Sequence, residues 1–180
     1  MQIETERLIL REFRKDDWPE LLAYWTDPRC QRFYADIDDV DRTVRDLVDR
    51  FVASQTEQPR RVWQLASARR SDGQLIGNCG LRVNDPGRRE ANIGYELNLR
   101  VWGNGYATEA ARAMVRFGFA ELGLHRVWAE CVADNTASVS VLDKLGMRRE
   151  ARFREHRWAK GRWWDTLIYA ILDHEWQSTA

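Results

Sequence analysis

The sequence is short of most features that announce a function. Only Lys15, Lys144 and Lys160 are lysines, and the formal net charge is zero. No apolar run approaches the roughly 18 residues of a membrane span. Zero net charge removes the whole-molecule field that would draw in nucleic acid or an anionic membrane, although it leaves room for local patches. Cys30, Cys79 and Cys131 are far apart and form no C-x-x-C, which fits buried thiols in a reducing compartment better than a disulfide frame. The opening MQIETERLILREF carries charges through its apolar stretch and does not read as a signal peptide. His125, His156 and His174 have no ligand spacing with one another or with the cysteines, so no metal is expected. No G-x-S-x-G elbow is present, which leaves a hydrolase triad without support. Repeats, linkers and low-complexity tracts are missing too. The expectation is one soluble, cytoplasmic domain over residues 1–180, with no membrane partner.

What is present is ordinary in bulk and uneven in detail. Apolar residues make up 44% and charged residues 31%, a balance that excludes wholesale disorder. Of 28 basic residues 25 are arginine, and nine residues are tryptophan. Charge is segregated: residues 36–49 hold six aspartates against Arg42 and Arg45, net −4, and residues 144–162 carry net +6. Either stretch can be a plain solvated face. An acidic stretch beside a site would also attract a cationic acceptor.

Periodicity predicts the elements. A β-rich opening spans residues 3–11, and Lys15-Asp16-Asp17-Trp18-Pro19 starts a short helix that Asp27-Pro28 closes. A second helix begins near Asp41, with Val44, Leu47, Val48, Phe51 and Val52 at helical spacing. Val62–Ser67 and Gln74–Val83 form a hairpin through Asp72-Gly73, and Ala91–Leu99 a further strand. The turn Trp102-Gly103-Asn104-Gly105-Tyr106-Ala107 leads straight into a helix over Thr108–Leu122 that Gly123 stops. Strand Arg126–Val132, a helix over Thr136–Leu145 capped by Asp134-Asn135, and strands Arg148–Trp158 and Arg162–Ile171 complete the chain. This order describes an α/β chain of α+β type: a mixed, mostly antiparallel sheet of about seven strands with about four helices.

The glycine turn carries the chemistry. Glycines at 103 and 105, between a strand and a helix start, let backbone N–H groups approach a phosphate. No G-K-[ST] follows, which excludes a P-loop, and Thr108 stands where a dinucleotide fingerprint needs its third glycine. A plain ligand-free turn is the alternative.

The run Gly103-Asn104-Gly105-Tyr106-Ala107-Thr108-Glu109-Ala110, the later Asn135-Thr136-Ala137-Ser138 with Val141-Leu142-Asp143-Lys144-Leu145-Gly146, and the order of elements resemble the GNAT N-acetyltransferase superfamily. The opening Glu4-Thr5-Glu6-Arg7-Leu8 and the closing Gly161 to Trp164-Asp165 hairpin resemble its RimJ/RimL branch, the ribosomal-protein N-terminal acetyltransferase type. The resemblance implies a splayed cleft for acetyl-CoA, with pyrophosphate on the backbone from Gly103 to Thr108 (Gly103, Asn104, Gly105, Tyr106, Ala107, Thr108). It implies pantetheine pairing with main chain near Tyr95, Glu96 and Leu97, and contacts from Asn135 and Ser138. Trp102 replaces the usual Arg or Gln and implies packing near the cofactor. For Asn135 a simple helix N-cap is the competing reading.

Attack on a thioester needs a neutral amine. At pH 7 that costs about 4.6 kcal/mol for a lysine-like amine and about 1 kcal/mol for an α-amine, so the need for a base depends on the acceptor. Glu130 and Glu96 are the candidate bases; residue-by-residue resemblance favours Glu130, while a sheet-face ion pair with an arginine is open for both. The N–H of Leu97 is the implied oxyanion donor. Leu142 stands where many superfamily members carry an acidic tyrosine, which leaves Ser138 as the group to hydrogen-bond the departing sulfur. The implied partner is an amine acceptor, either a cationic amine or a protein N-terminus, and the protein is expected to be a monomer or homodimer. The alternatives are a non-catalytic CoA-binding module, or an RNA or ribosome binder using the basic, tryptophan-bearing hairpin (Arg157, Trp158, Arg162, Trp163, Trp164), although the overall charge argues against nucleic acid.

Overall fold

A computed structural model describes residues 1–177. Its strands are β1 (Gln2–Glu4), β2 (Leu8–Glu12), β3 (Val62–Arg69), β4 (Leu75–Arg82), β5 (Glu90–Leu97), β6 (Arg126–Val132), β7 (Arg148–Ala159) and β8 (Arg162–Leu172). The helices are α1 (Trp18–Trp25), α2 (Val40–Ser54), α3 (Tyr106–Ala120), α4 (Thr136–Lys144) and α5 (Asp173–Gln177). All strands lie in one sheet in the order β1-β2-β3-β4-β5-β6-β8-β7.

The expected α/β class holds, with two corrections of count. The opening stretch is two strands, because it turns between Glu4 and Leu8, where the Thr5 N–H bonds back to the Leu8 carbonyl. That makes eight strands where seven were expected. The short α5 was also missed; five residues carry too little periodicity to be seen.

Strand alternation sorts the sheet into two faces. On one face Leu8, Leu10, Leu65, Cys79, Leu81, Ile93, Val127 and Ile171 form the main core under α3 and α4. A Cβ at Gly118 would come within 2.9 Å of Leu81, so this glycine is what lets α3 settle onto β4. On the opposite face α1 and α2 bury Phe13, Leu21, Trp25, Val44, Val48 and Phe51 over Ala66 and Leu75. They cover only the β2–β4 end. The rest of that face is crossed by the loop between α1 and α2, whose Phe33 meets Trp164 edge-on at 5.5 Å and whose Asp36 pairs with Lys160 at 3.0 Å.

β5 and β6 are the one parallel pair, and their pairing ends early. It runs Glu90↔Arg126, Ala91↔Val127, Asn92↔Trp128 and then stops, so Ile93–Leu97 leave β6 and open a cleft in the middle of the sheet. No helix among the described residues is long and apolar enough to cross a membrane.

Candidate active site

The glycine turn sits at one end of this cleft. Gly103 and Gly105 adopt φ of 78° and 80°, a left-handed conformation that only glycine takes up cheaply. A Cβ on Gly103 would meet nothing within 4 Å, so the turn faces open space. Gly105 is the N-cap of α3 and its carbonyl already accepts the Glu109 N–H at 3.0 Å. The N–H groups of Tyr106, Ala107 and Thr108 precede that first bond and, as in any α-helix, have no intrahelical acceptor. An anion can dock there, so the residues fit the CoA pyrophosphate.

The turn is held from behind by the N-terminus. Glu109 accepts from the Thr5 hydroxyl at 2.6 Å, the Arg7 N–H at 2.8 Å and Arg7 Nε at 2.7 Å. Arg7 Nη1 also donates to the Asn104 carbonyl at 3.0 Å, and its guanidinium lies 4.6 Å from the Tyr106 ring centre. A carboxylate in the first turn of α3 would repel a phosphate; Arg7 neutralises it in place. Burial works against the Glu109 charge, and the bonds from Thr5 and Arg7 override it to hold the carboxyl below its ordinary range. The Asn104 side chain folds back onto the Val101 and Trp102 carbonyls, both at 3.1 Å.

The Trp102 ring is half exposed, while its indole N–H donates to the Leu97 carbonyl at 2.7 Å, tying the turn to the end of β5. The Asn98 N–H pairs with Ile76 across β4 at 2.8 Å. Successive residues alternate, so the main-chain groups of Leu97 point the other way, into the cleft.

Glu96 lies on the face opposite Tyr95 and Leu97, under the α1–α2 loop. Its Oε1 accepts the Trp25 indole N–H and its Oε2 accepts the Tyr34 hydroxyl at 2.6 Å. Desolvation raises the Glu96 pKa, and the bonds from Tyr34 and Trp25 offset only part of that. Burial, then the Glu96 charge, push the phenols of Tyr24 and Tyr34 upward, so both stay protonated. Glu130 shares this face on β6 but is exposed, and its side chain makes no hydrogen bond or ion pair among the described residues.

Across the cleft, on the helix side, the Tyr95 hydroxyl lies 2.9 Å from the Ser138 hydroxyl and 3.1 Å from the Ser138 carbonyl. Burial raises the Tyr95 pKa, which keeps the phenol a donor. Asn135 caps α4 by accepting the Ser138 N–H at 3.1 Å, so the N-cap reading is realised, and its amide N–H groups remain for another partner. Leu142 is fully buried in the main core. His125, just before β6, lies 3.3 Å through Nδ1 from Asp173, at the opposite end of β6 from the cleft. Among the described residues no His, Cys, Asp and Glu cluster suits a metal.

The structure thus brings to one cleft the Glu96, Ser138, Asn135 and glycine-turn positions singled out from sequence. Sequence reasoning missed the Trp25 and Tyr34 donors, the Thr5–Arg7–Glu109 clamp and the Tyr95 hydroxyl. Only the clamp left a trace, in the opening Glu4–Leu8 motif.

A family model for an acetyltransferase (GNAT) domain matches residues 7–148. The chain belongs to the GNAT acetyltransferase family. Among its relatives is the uncharacterized N-acetyltransferase YnaD of Bacillus subtilis, 32% identical over 176 residues, covering 98% of this chain and 99% of that protein. A GNAT acetyltransferase structure from Bacillus anthracis superposes with a TM-score of 0.85 at 30% identity, covering 97% of this chain and all of that one. RimL, a ribosomal L7/L12 α-N-protein acetyltransferase solved in complex with coenzyme A, shares the fold at a TM-score of 0.81 and 18% identity, covering 96% of this chain and 98% of that one. The GNAT domain makes this protein an acetyl-CoA-dependent acyltransferase acting on an amine.

Proposed function

We propose that the protein acetylates a primary amine, either a protein N-terminal α-amine or a small amine, by direct attack within a ternary complex. The observation that carries this reading is the cleft itself: anion-binding amides at one end, a shielded carboxylate on one side and a paired Tyr95–Ser138 donor on the other. The α-N-protein acetyltransferase named above and the opening Glu4–Leu8 motif support a RimJ/RimL-like place in the family.

In this reading the amides from Gly103 to Thr108 hold the pyrophosphate, the main chain of Tyr95, Glu96 and Leu97 lines the pantetheine arm, and Asn135 and Ser138 touch it. Acetyl-CoA supplies the activated acyl group. Glu96 takes the proton of the attacking amine, directly or through water, because burial brings its pKa closer to neutral, where a base works best. Glu130, exposed and unpartnered, is the lesser candidate. The Leu97 N–H faces the developing oxyanion. The hydroxyl of Ser138, backed by Tyr95, donates to the leaving sulfur, since the position expected to carry an acid is the buried Leu142. A thiolate with pKa near 8.5 tolerates such a weak donor.

The test is CoA release across a panel of amines and N-terminal peptides with E96Q and E130Q. E96Q lowers kcat/KM by about 10²–10⁴, the range of a lost general base, and flattens the acid limb of the pH profile. A larger loss with E130Q would reverse the assignment, and wild-type profiles in both would remove the base altogether.

A further inference from the structure

The sheet face beneath α1, α2 and their connecting loop holds a charged group that acetyl transfer does not use. Arg82 leaves β4 on the same face as Asn78 and Glu96. Its Nη2 donates to Gln64 Oε1 at 2.8 Å, and Gln64 Nε2 in turn donates to Asn78 Oδ1 at 2.7 Å. Gln64 and Asn78 are both buried, so the guanidinium is aimed by a fixed row of amides.

Its surroundings differ from those of three other sheltered arginines packed on the sheet. Arg11, Arg60 and Arg126, with side chains 18%, 19% and 24% exposed, rest on Asp17, Glu12 and Glu150 at 2.7–2.8 Å. Arg82 is half-buried, yet among the described residues no carboxylate oxygen lies within 4 Å of it. A desolvated cation without a counter-charge is costly, and a ligand anion removes that cost. Arg82 keeps donors free for one, because the Gln64 bond occupies only Nη2.

The sheet beneath has been cleared. Gly80 and Gly94 face each other in register on β4 and β5, and a Cβ on Gly94 would sit 2.9 Å from Arg82 Nη1. The guanidinium thus lies over Gly94, two residues along β5 from Glu96 and on the same face. At about 3.3 Å per residue, the Gly94 and Glu96 positions are roughly 7 Å apart along the strand. An amine and a carboxylate separated by a few bonds, each making a hydrogen bond of about 2.8 Å, match a spacing of that order.

We propose that Arg82 anchors a carboxylate on the acceptor, so that the acceptor is an amino acid or a close derivative carrying its carboxylate within a few bonds of the amine. This rests on the acetyl-transfer reading above for the direction of the amine toward Glu96. The guanidinium pairs with the carboxylate, the amine meets Glu96, and the acyl carbon approaches from the cleft.

The experiment compares free L-amino acids with the matching amino-acid amides as acceptors, for wild type, R82Q and R82K. The wild type favours the free carboxylate by roughly tenfold or more in kcat/KM, the ratio falls toward one in R82Q, and R82K retains part of it. A wild-type ratio near one, or a ratio unchanged in R82Q, overturns the proposal. Because the ratio is internal to each variant, a general loss of folded protein does not imitate the effect. Titration calorimetry with N-acetyl amino acids and their amides, in the presence of CoA, reads the site without turnover. If no amine releases CoA, acetyl transfer fails, yet carboxylate-dependent binding lost in R82Q would still support the anion site. Equal binding of acid and amide would overturn it.

Discussion

Replacing Gly77 by alanine tests whether the geometry of β5 controls both stability and catalysis. Gly77 lies on β4 opposite Leu97. A Cβ there would overlap the Glu96 carbonyl oxygen and come 2.5 Å from Leu97 Cδ2 and 2.8 Å from Leu97 Cα. Carbon atoms rest at about 3.5–4.0 Å, so β5 must retreat by about 1 Å at Glu96 and Leu97. The neighbour is backbone, which cannot rotate out of the way. Overpacking of this kind costs about 1–3 kcal/mol, equivalent to a fall of about 2–12 °C in Tm for a domain of this size. The same shift moves the proposed base and the proposed oxyanion donor together, and a misplacement of about 1 Å costs about 100-fold in rate. Differential scanning fluorimetry and steady-state CoA release measure the two effects. Gly103→Ala is the matched comparison: it meets open space, so only its left-handed backbone is strained, at about 1–2 kcal/mol. The reasoning is refuted if G77A melts and turns over like wild type, or if G103A lowers kcat more than G77A does.

The remaining predictions concern single side chains. Y34F removes one of the two hydrogen bonds that favour ionised Glu96, so the acid limb of kcat/KM moves to higher pH; a move to lower pH would contradict the arrangement. Because the folded protein holds the Glu96 proton to higher pH than the unfolded chain, stability from this group is full below the unfolded carboxylate pKa and falls as pH rises through the folded value. Melting curves of E96Q lack that fall. S138A lowers kcat with little change in the KM for acetyl-CoA, and Y95F follows it in the same direction; unchanged kcat in both would remove the pair from the reaction. R7A frees Glu109 beside the phosphate amides and raises the KM for acetyl-CoA by roughly tenfold, about 1.4 kcal/mol, with a smaller effect on kcat; salt titration checks it, since the unmasked repulsion weakens as ionic strength rises.

The zero net charge resolves into local pairings in three dimensions. The acidic stretch divides: Asp39 caps α2, Asp36 pairs with Lys160, and Asp41 and Asp46 pair along the helix with Arg45 and Arg42. The tryptophans also separate by role. Trp25 bonds Glu96, Trp102 ties the turn to β5, and Trp164 is buried against Phe33, whereas Trp158 and Trp163 remain 59% and 53% exposed on the hairpin.

Local chemistry was legible because it is local. Gly103 and Gly105 announce a left-handed turn, Asn135 a helix cap, and alternation along β5 places Glu96 opposite Tyr95, all from neighbours within a few residues. The sequence by itself therefore determined the order of the longer elements from β3 to β8, the glycine turn ahead of α3 and a leucine at position 142. Only the tertiary structure decided what surrounds each group. Tyr34 reaches Glu96 across 62 positions, Arg7 reaches Glu109 across 102, and Arg82 reaches Gln64 across 18. Burial and the hydrogen bonds of Tyr34 and Trp25 set the ionisation of Glu96, and the same packing leaves Arg82 without a carboxylate. Both depend on which distant segments the sheet brings together, and no pattern of neighbouring residues encodes that.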